Sequence, residues 1–545
     1  MRELLKYVRR WCVMAWICCG LLTACSAAQL APPTQTPTLA STPTAKTLLA
    51  SVDKLDSHTV RFTLTRPDVA FLHKLAFPAF GIASPSAIKQ HAASGELMRH
   101  PVGSGPFQFV EWLPGDHITL RRNDGYWGTK PQIETLTYRV IKEAPARFLE
   151  LRAGTVDGVD NLSPDDIAAA QTDPNLAVYL RPPFNIGYLG INSAHAPFDD
   201  LRVRQAVAMA LNKTELVQAL YSPTAEAAAQ FVPPGIFGHT DGLQDWPYDP
   251  GQAKELLAQA GYPAGFKTTL WVMPVSRSYY PNPDRVGEAI QADLAAVGIQ
   301  AEIATYDWGA YLDKVFAGEA DLFLLGWMAD YPDAVNFLDS FFGAGSDDSL
   351  GPKFPELMRL LEEAGSVTDP ARRQALYDQA NRLIHDNVPA VPVVHNSSAL
   401  AFRKTVRGLS PSPFNVEFFG PVSVKGKDSL IFARSGDSVG LDPVDESDLE
   451  SVMVCAQVME TLVAFEPGTA RVVPALAERW ELSDDLRAWT FYLRRGVSFH
   501  DGTELDAGAV VFNFERWWDK GNPYHVGHTG NFFHWSFYFG GFKGE

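Results

Sequence analysis

From residue 48 onward this chain alternates strand patterns with capped helices, and that alternation confines it to a layered α/β fold. Val60-Arg61-Phe62-Thr63-Leu64 places an apolar residue at every second position, and Trp489-Thr490-Phe491-Tyr492-Leu493 is a second strand pattern. A capping residue followed by proline marks helix starts at Ser163-Pro164, Asp249-Pro250 and Asp369-Pro370. Proline's fixed φ and missing N–H suit the first helical position. The helix after Asp249 carries Ala253, Leu256, Leu257 and Ala260 on one face and stops at Gly261. The one after Asp369 carries Leu376, Ala380, Leu383 and Ile384. No repeat of about 20–50 residues points to a solenoid or propeller. At 545 residues the chain exceeds the roughly 250–300 at which a single core stops growing, so two lobes are expected.

The formal net charge of −17 argues against nucleic acid, which needs a basic surface. Aromatic residues at 12% suit large cores or an aromatic-lined cleft. Beyond the N-terminus no apolar stretch is long enough to cross a bilayer. Residues 1–25 have a signal-peptide layout. Arg2, Lys6, Arg9 and Arg10 stand against a single Glu3, and Trp11 to Ala24 is apolar or small with one hydroxyl. The run ends Leu22-Thr23-Ala24-Cys25, which resembles the lipobox of bacterial lipoproteins and implies lipid attachment at Cys25. Residues 26–47 are rich in Pro, Thr, Ser and Ala, and are expected to form a disordered tether. With Cys12, Cys18 and Cys19 in the signal and Cys25 carrying lipid, only Cys455 remains. No disulfide can then form within the mature domain, and Cys455, in an apolar run, reads as a buried thiol.

The HExxH, GxxxxGK[ST] and CxxC signatures are missing. Gly103-Ser104-Gly105-Pro106 reads as a tight turn, because its proline interrupts the run of backbone donors. His500-Asp501 is no catalytic pair, since neighbours on a strand point to opposite faces. The 13 His show no metal-ligand spacing, and no cofactor is expected.

Four blocks carry a family resemblance: PALAERWELSDDLRAWTFYLRRGVSFHDG (474–502), GSGPFQFVEW (103–112) with NDGYWG (123–128), FDDLRVRQAVAMALNK (198–213) and YDPGQAKELLAQAGY (248–262). Together they resemble family 5 of the bacterial solute-binding proteins, which includes dipeptide, oligopeptide and nickel receptors. The resemblance implies a two-lobed periplasmic-binding-protein-like fold, type II, of the large class with an extra subdomain. It also implies a monomer that delivers its ligand to the transmembrane subunits of an ABC permease and is not an enzyme.

The order of the blocks departs from the family. The block at 474–502 ordinarily comes near the mature N-terminus, but here it comes last. Residues 401–424 resemble the family's C-terminal end, and DSLIFARSGDSVGLDPV, after Lys425-Gly426-Lys427, resembles the usual mature start. A circular permutation is therefore expected, a rearranged gene being the competing origin. By this resemblance lobe I comprises 48–193 and 397–545, lobe II comprises 194–396, and the family's N-terminal part lies at 428–545.

In Gly326-Trp327-Met328-Ala329-Asp330-Tyr331 the resemblance makes Asp330 the ligand of a peptide's α-ammonium and Trp327 a cleft wall. Asp330 could instead only organise the turn before the next helix. In Met273-Pro274-Val275-Ser276-Arg277, which resembles the dipeptide-binding members, Arg277 takes the C-terminal carboxylate; a surface or interlobe salt bridge is its alternative. Ser435 and Gly436 stand where the first lobe's strand should meet the ligand, and an aromatic wall corresponds loosely to 531–535. An Asp and an Arg holding both ends would measure length, and two residues span roughly 7 Å, so di- or short oligopeptides are expected. The open alternatives are another family ligand (nickel, a sugar, an opine), an exported hydrolase, or a scaffold lipoprotein.

Overall fold

A computed structural model describes residues 47–94, 96–446 and 448–545. The signal, Cys25 and all of the tether except Thr47 lie outside the described residues. Thr47 already belongs to the fold, since it is buried and its carbonyl accepts from Thr65 Oγ1 at 2.8 Å. All three proline-marked helices form as the sequence predicts: Pro164–Thr172, Pro250–Gln259 and Pro370–Asn387. Ser163, Asp249 and Asp369 each accept a backbone N–H of the first turn, so the capping signals were the start signals. Among the described residues no helix is long and apolar enough to cross a membrane.

Three larger sheets organise the chain. A six-stranded sheet runs Ile299–Ala304, Phe266–Trp271, Leu322–Met328, Asn185–Ile191, Ala390–His395, Glu226–Ala227. Its first three strands are parallel, and Asn185–Ile191 lies antiparallel between Leu322–Met328 and Ala390–His395. Sequence places residues 185–193 at the end of the first lobe, but the pairing puts Asn185–Ile191 in the middle of this sheet. Every residue of that strand is buried, and a strand apolar on both faces belongs at a sheet centre. The crossing between lobes therefore falls at 181–185 rather than near Asn192.

A seven-stranded sheet holds Ser429–Arg434 between Thr135–Val140 and Gly158–Val159, parallel to both. A four-stranded antiparallel sheet joins Leu49–Asp56 and Thr59–Leu64 to Ala488–Leu493 and Ala477–Leu482. Distant stretches thus complete each other's sheets.

The glycines of Gly103-Ser104-Gly105-Pro106 answer to packing. A Cβ on Gly103 would lie 2.1 Å from the Val458 carbonyl oxygen, and one on Gly105 would lie 2.6 Å from that of Gln457. The helix Leu449–Val458 ends against this turn, and Val458 O accepts from Gly105 N at 2.9 Å. Ser104, Tyr126 and Trp127 all donate to the buried Glu460 carboxylate at 2.8 Å, so two separated motifs converge on one acceptor. His500 bonds Gly105 O while Asp501 accepts from Ser84, so the two diverge, although they stand in a turn rather than on the expected strand. Cys455 is fully buried.

Candidate functional site

Because Ile299–Ala304, Phe266–Trp271 and Leu322–Met328 run parallel, their C-terminal ends share one sheet edge. The loops carrying Arg277, Trp308 and Asp330 all leave from it. Asn185 pairs with Met328, so the first interlobe crossing starts at the same edge, and the second leaves from His395. The two crossings clasp each other there: Asn185 Nδ2 donates to Asn396 O at 2.6 Å, and Asn396 N donates to Asn185 Oδ1 at 3.0 Å. Arg181 N adds a bond to Ser398 O at 2.9 Å. In open α/β sheets this edge is where ligands bind.

Asp330 is the most constrained group on this edge. Its backbone N donates to Asn336 Oδ1 at 2.9 Å, and Asn336 Nδ2 returns a bond to Asp330 Oδ2 at 3.0 Å. Trp327 Nε1 also donates to Asn336 Oδ1, at 3.3 Å. One amide near the start of the helix Val335–Phe342 therefore fixes both predicted site residues. Asn336 was missed because the sequence shows it only as a helical residue. Asp330 does organise its turn, through Asn336, while its carboxylate still faces the other lobe. Burial pushes its pKa up to about 6, against the lowering effect of hydrogen bonds from Tyr538 and Asn336.

Tyr538 comes from the first lobe, and so does Phe537, whose ring lies 5.1 Å from Trp327. Both stand on the helix Phe533–Phe539. Phe532 caps that helix with φ 47°, a left-handed value that is costly for a bulky residue. Asp445 enforces it by accepting from Thr529 N at 2.8 Å, Thr529 Oγ1 at 2.7 Å and Phe532 N at 3.0 Å. The expected wall at 531–535 is thus displaced: Phe532 and Trp535 are core residues, and Phe537 and Tyr538 meet the site. Tyr331 crosses the other way and is buried in the first lobe's core, 6.2 Å from the His73 ring and 5.9 Å from that of Tyr538.

Arg277 is differently placed. A turn closed by two 3.0 Å bonds between Arg277 and Tyr280 fixes its backbone. Its guanidinium lies over Trp308 at 5.4 Å, donates to Ser276 O and makes no ion pair among the described residues. Ser435 and Gly436 follow Ser429–Arg434 at the edge of the seven-stranded sheet from which the crossings leave. A Cβ on Gly436 would lie 2.9 Å from Glu450 Oε1, so this glycine accommodates a carboxylate of its own lobe. No hydrogen bond among the described residues joins Ser435 or Gly436 to the Asp330 loop.

Two α/β lobes, joined by paired crossings and meeting over a buried carboxylate and aromatic walls, define the two-lobed architecture of periplasmic binding proteins. Residues 27–349 and 471–531 match the model of "Bacterial extracellular solute-binding proteins, family 5 Middle". The chain belongs to this family. It is 36% identical to the dipeptide-binding protein of Escherichia coli over 386 residues, which is 69% of this chain and 72% of the relative. It is 35% identical to heme-binding protein A of Haemophilus influenzae over 386 residues, 70% of this chain and 71% of the relative. Among solved structures, a periplasmic binding protein from Helicobacter pylori in complex with the peptide STSA superposes with TM-score 0.63 at 31% identity. That match covers 69% of this chain and 74% of the other. A Pseudoalteromonas dipeptide-binding protein in complex with Met-Leu gives 0.64 at 28%, covering 70% and 76%.

Proposed function

We propose that this protein captures di- or short oligopeptides between its lobes and delivers them to an ABC permease, held at the membrane by lipid on Cys25. The observation that carries the reading is Asp330, a desolvated carboxylate flanked by Trp327 and met by the opposite lobe. A buried carboxylate attracts an ammonium strongly only where water is excluded, and the Tyr538 side chain hydrogen-bonds this one from the opposite lobe. Arg277 has a guanidinium without a carboxylate partner among the described residues, on the same sheet edge, for the peptide's other end. The names of the relatives, dipeptide-binding and di/tripeptide-binding proteins among them, support the same ligand class.

The test is calorimetric titration of free, N-acetylated and C-terminally amidated dipeptides. Saturable binding of free dipeptides without turnover is expected, with the blocked forms weakened. Equal binding of all three would favour another ligand of the family, and peptide cleavage would favour a hydrolase. For the anchor, Cys25→Ala should release the protein from membranes; full retention refutes lipid attachment there.

The permuted order belongs to the same proposal. Supporting it, Leu48 N donates to Phe539 O at 2.6 Å, which brings the first and last described segments side by side. Gly426, with φ 88°, turns the exposed Lys425–Lys427 segment that joins the two halves. Exposed turns and adjacent ends are where chains tolerate reconnection. A chain built as 428–545 followed by 48–424 should fold and bind the same ligand; failure of that chain to fold would refute the permutation.

A further inference from the structure

We propose that His91, Glu96 and His100 form a binding site for a late first-row divalent cation, with Zn²⁺ the fitting ion. The helix Pro85–His91 ends at the first ligand, and Glu96 and His100 lie beside it. The ligand atoms of all three lie within 4.8 Å of one another. Glu96 Oε2 and His100 Nε2 are 3.6 Å apart, too far for a hydrogen bond. Two arms of about 2.0–2.2 Å meeting at a tetrahedral ion leave their donor atoms about 3.4 Å apart. The pair is thus spaced for a bridging ion more than for a proton. The His91 and His100 rings stack at 4.6 Å with 14° between planes, and a modest rotation of these partly exposed side chains brings both nitrogens onto one ion.

The backbone that presents the ligands is anchored. Ser84 caps the helix by accepting from Ala87 N, and Asn513 Nδ2 holds Ala83 O at 2.8 Å. Ser94 Oγ donates to His91 O at 2.9 Å and accepts from Glu96 N at 3.4 Å. Leu441 N donates to Met98 O at 2.7 Å. Neither imidazole makes another side-chain hydrogen bond among the described residues, so their nitrogens are uncommitted. Two imidazoles and a carboxylate select zinc-like ions over Mg²⁺ or Ca²⁺, which prefer all-oxygen shells. Three protein ligands leave one position for water, so the ion would brace the turn between helix and sheet.

The experiment is titration of the untagged full-length chain with ZnCl₂ by calorimetry, and with Co²⁺ by visible absorption. One site per chain is expected, with a tetrahedral Co²⁺ spectrum and no competition from excess Mg²⁺. His91→Gln and His100→Gln should each weaken the site at least tenfold, and Glu96→Lys, at an exposed position, should abolish it without disturbing the fold. The proposal is overturned if the parent shows no stoichiometric site below about 100 μM, or if its strongest site survives unchanged in Glu96→Lys.

Discussion

Asp330 and Arg277 leave the same edge of the same sheet, yet one is held from every side and the other almost from none. Asp330 is fixed by Asn336 through backbone and side chain, and a tyrosine of the opposite lobe covers it. Arg277 is fixed only at its backbone, and its guanidinium rests on Trp308. The difference teaches that the ammonium end of the proposed ligand meets a preorganised, desolvated acceptor, while the carboxylate end meets an adaptable cation. Register would then be set at Asp330, and tolerance of length would lie toward Arg277.

The largest expected effect is at Asp330. Leaving a buried ammonium without its carboxylate costs roughly 3–5 kcal/mol, and each 1.4 kcal/mol is about tenfold. Asp330→Ala should therefore weaken free dipeptides at least a hundredfold in calorimetric titration and leave N-acetylated peptides unaffected. Asn336→Ala should reproduce part of that loss, about tenfold, because it releases the Trp327 indole and the Asp330 carboxylate together. If Asn336→Ala binds like the parent, the preorganisation half of the comparison is broken.

Arg277→Ala should cost less, about tenfold, because the guanidinium is partly exposed and solvent already screens it. The loss should vanish for amidated peptides. A loss larger than that of Asp330→Ala would reverse the comparison and make the carboxylate end the anchor.

How far the sequence reached follows the same division between local and long-range causes. The proline-started helices, the strands of 59–64 and 488–493, the buried Cys455 and the family were legible, because caps, periodicity and motif blocks are local signals. The edge position of the Asp330 and Arg277 loops was legible only through the resemblance. Tyr538 and Phe537 were not legible, because nothing local separates them from the core residues Phe532 and Trp535 in the same aromatic run. Their direction is set by Asp445, more than eighty residues away in the chain. The boundary near Asn192 failed for a related reason: an apolar strand does not announce which sheet it centres. His91, Glu96 and His100 lack a regular ligand spacing because a helix end and a turn bring them together.

The pH dependence sharpens the Asp330 half. Only the ionised carboxylate attracts an ammonium, and with its pKa pushed up to about 6 about nine-tenths of Asp330 is ionised at pH 7 and about a tenth at pH 5. Affinity for free dipeptides should fall about tenfold across that interval, measured by titration at both pH values, while N-acetylated peptides show no such fall. A flat profile would mean that the ammonium is held elsewhere.

The smallest effect concerns stability, on the helix that presents Asn336. Asp339 sits one turn further along; its Oδ2 is buried without a hydrogen-bond partner. Burial pushes its pKa up to about 7, opposed by Lys74 and reinforced by Asp333 and Asp68. Unlike Asp330, which neighbouring donors hold partly ionised, Asp339 is favoured by the fold in its protonated form. The sign follows: the stability it contributes is full below the unfolded value of 3.8 and is lost as pH rises through about 7. The parent should therefore unfold more easily at pH 8 than at pH 6. Asp339→Asn, which keeps the shape and cannot ionise, should recover about 2–3 kcal/mol more at pH 8 than at pH 5. Glu446, pushed up to about 8 by its own burial, acts in the same direction and leaves a residual slope in the variant. Denaturant melts of both proteins at pH 5, 6 and 8 measure this, and parallel profiles would show that Asp339 is ionised at no cost in the folded chain.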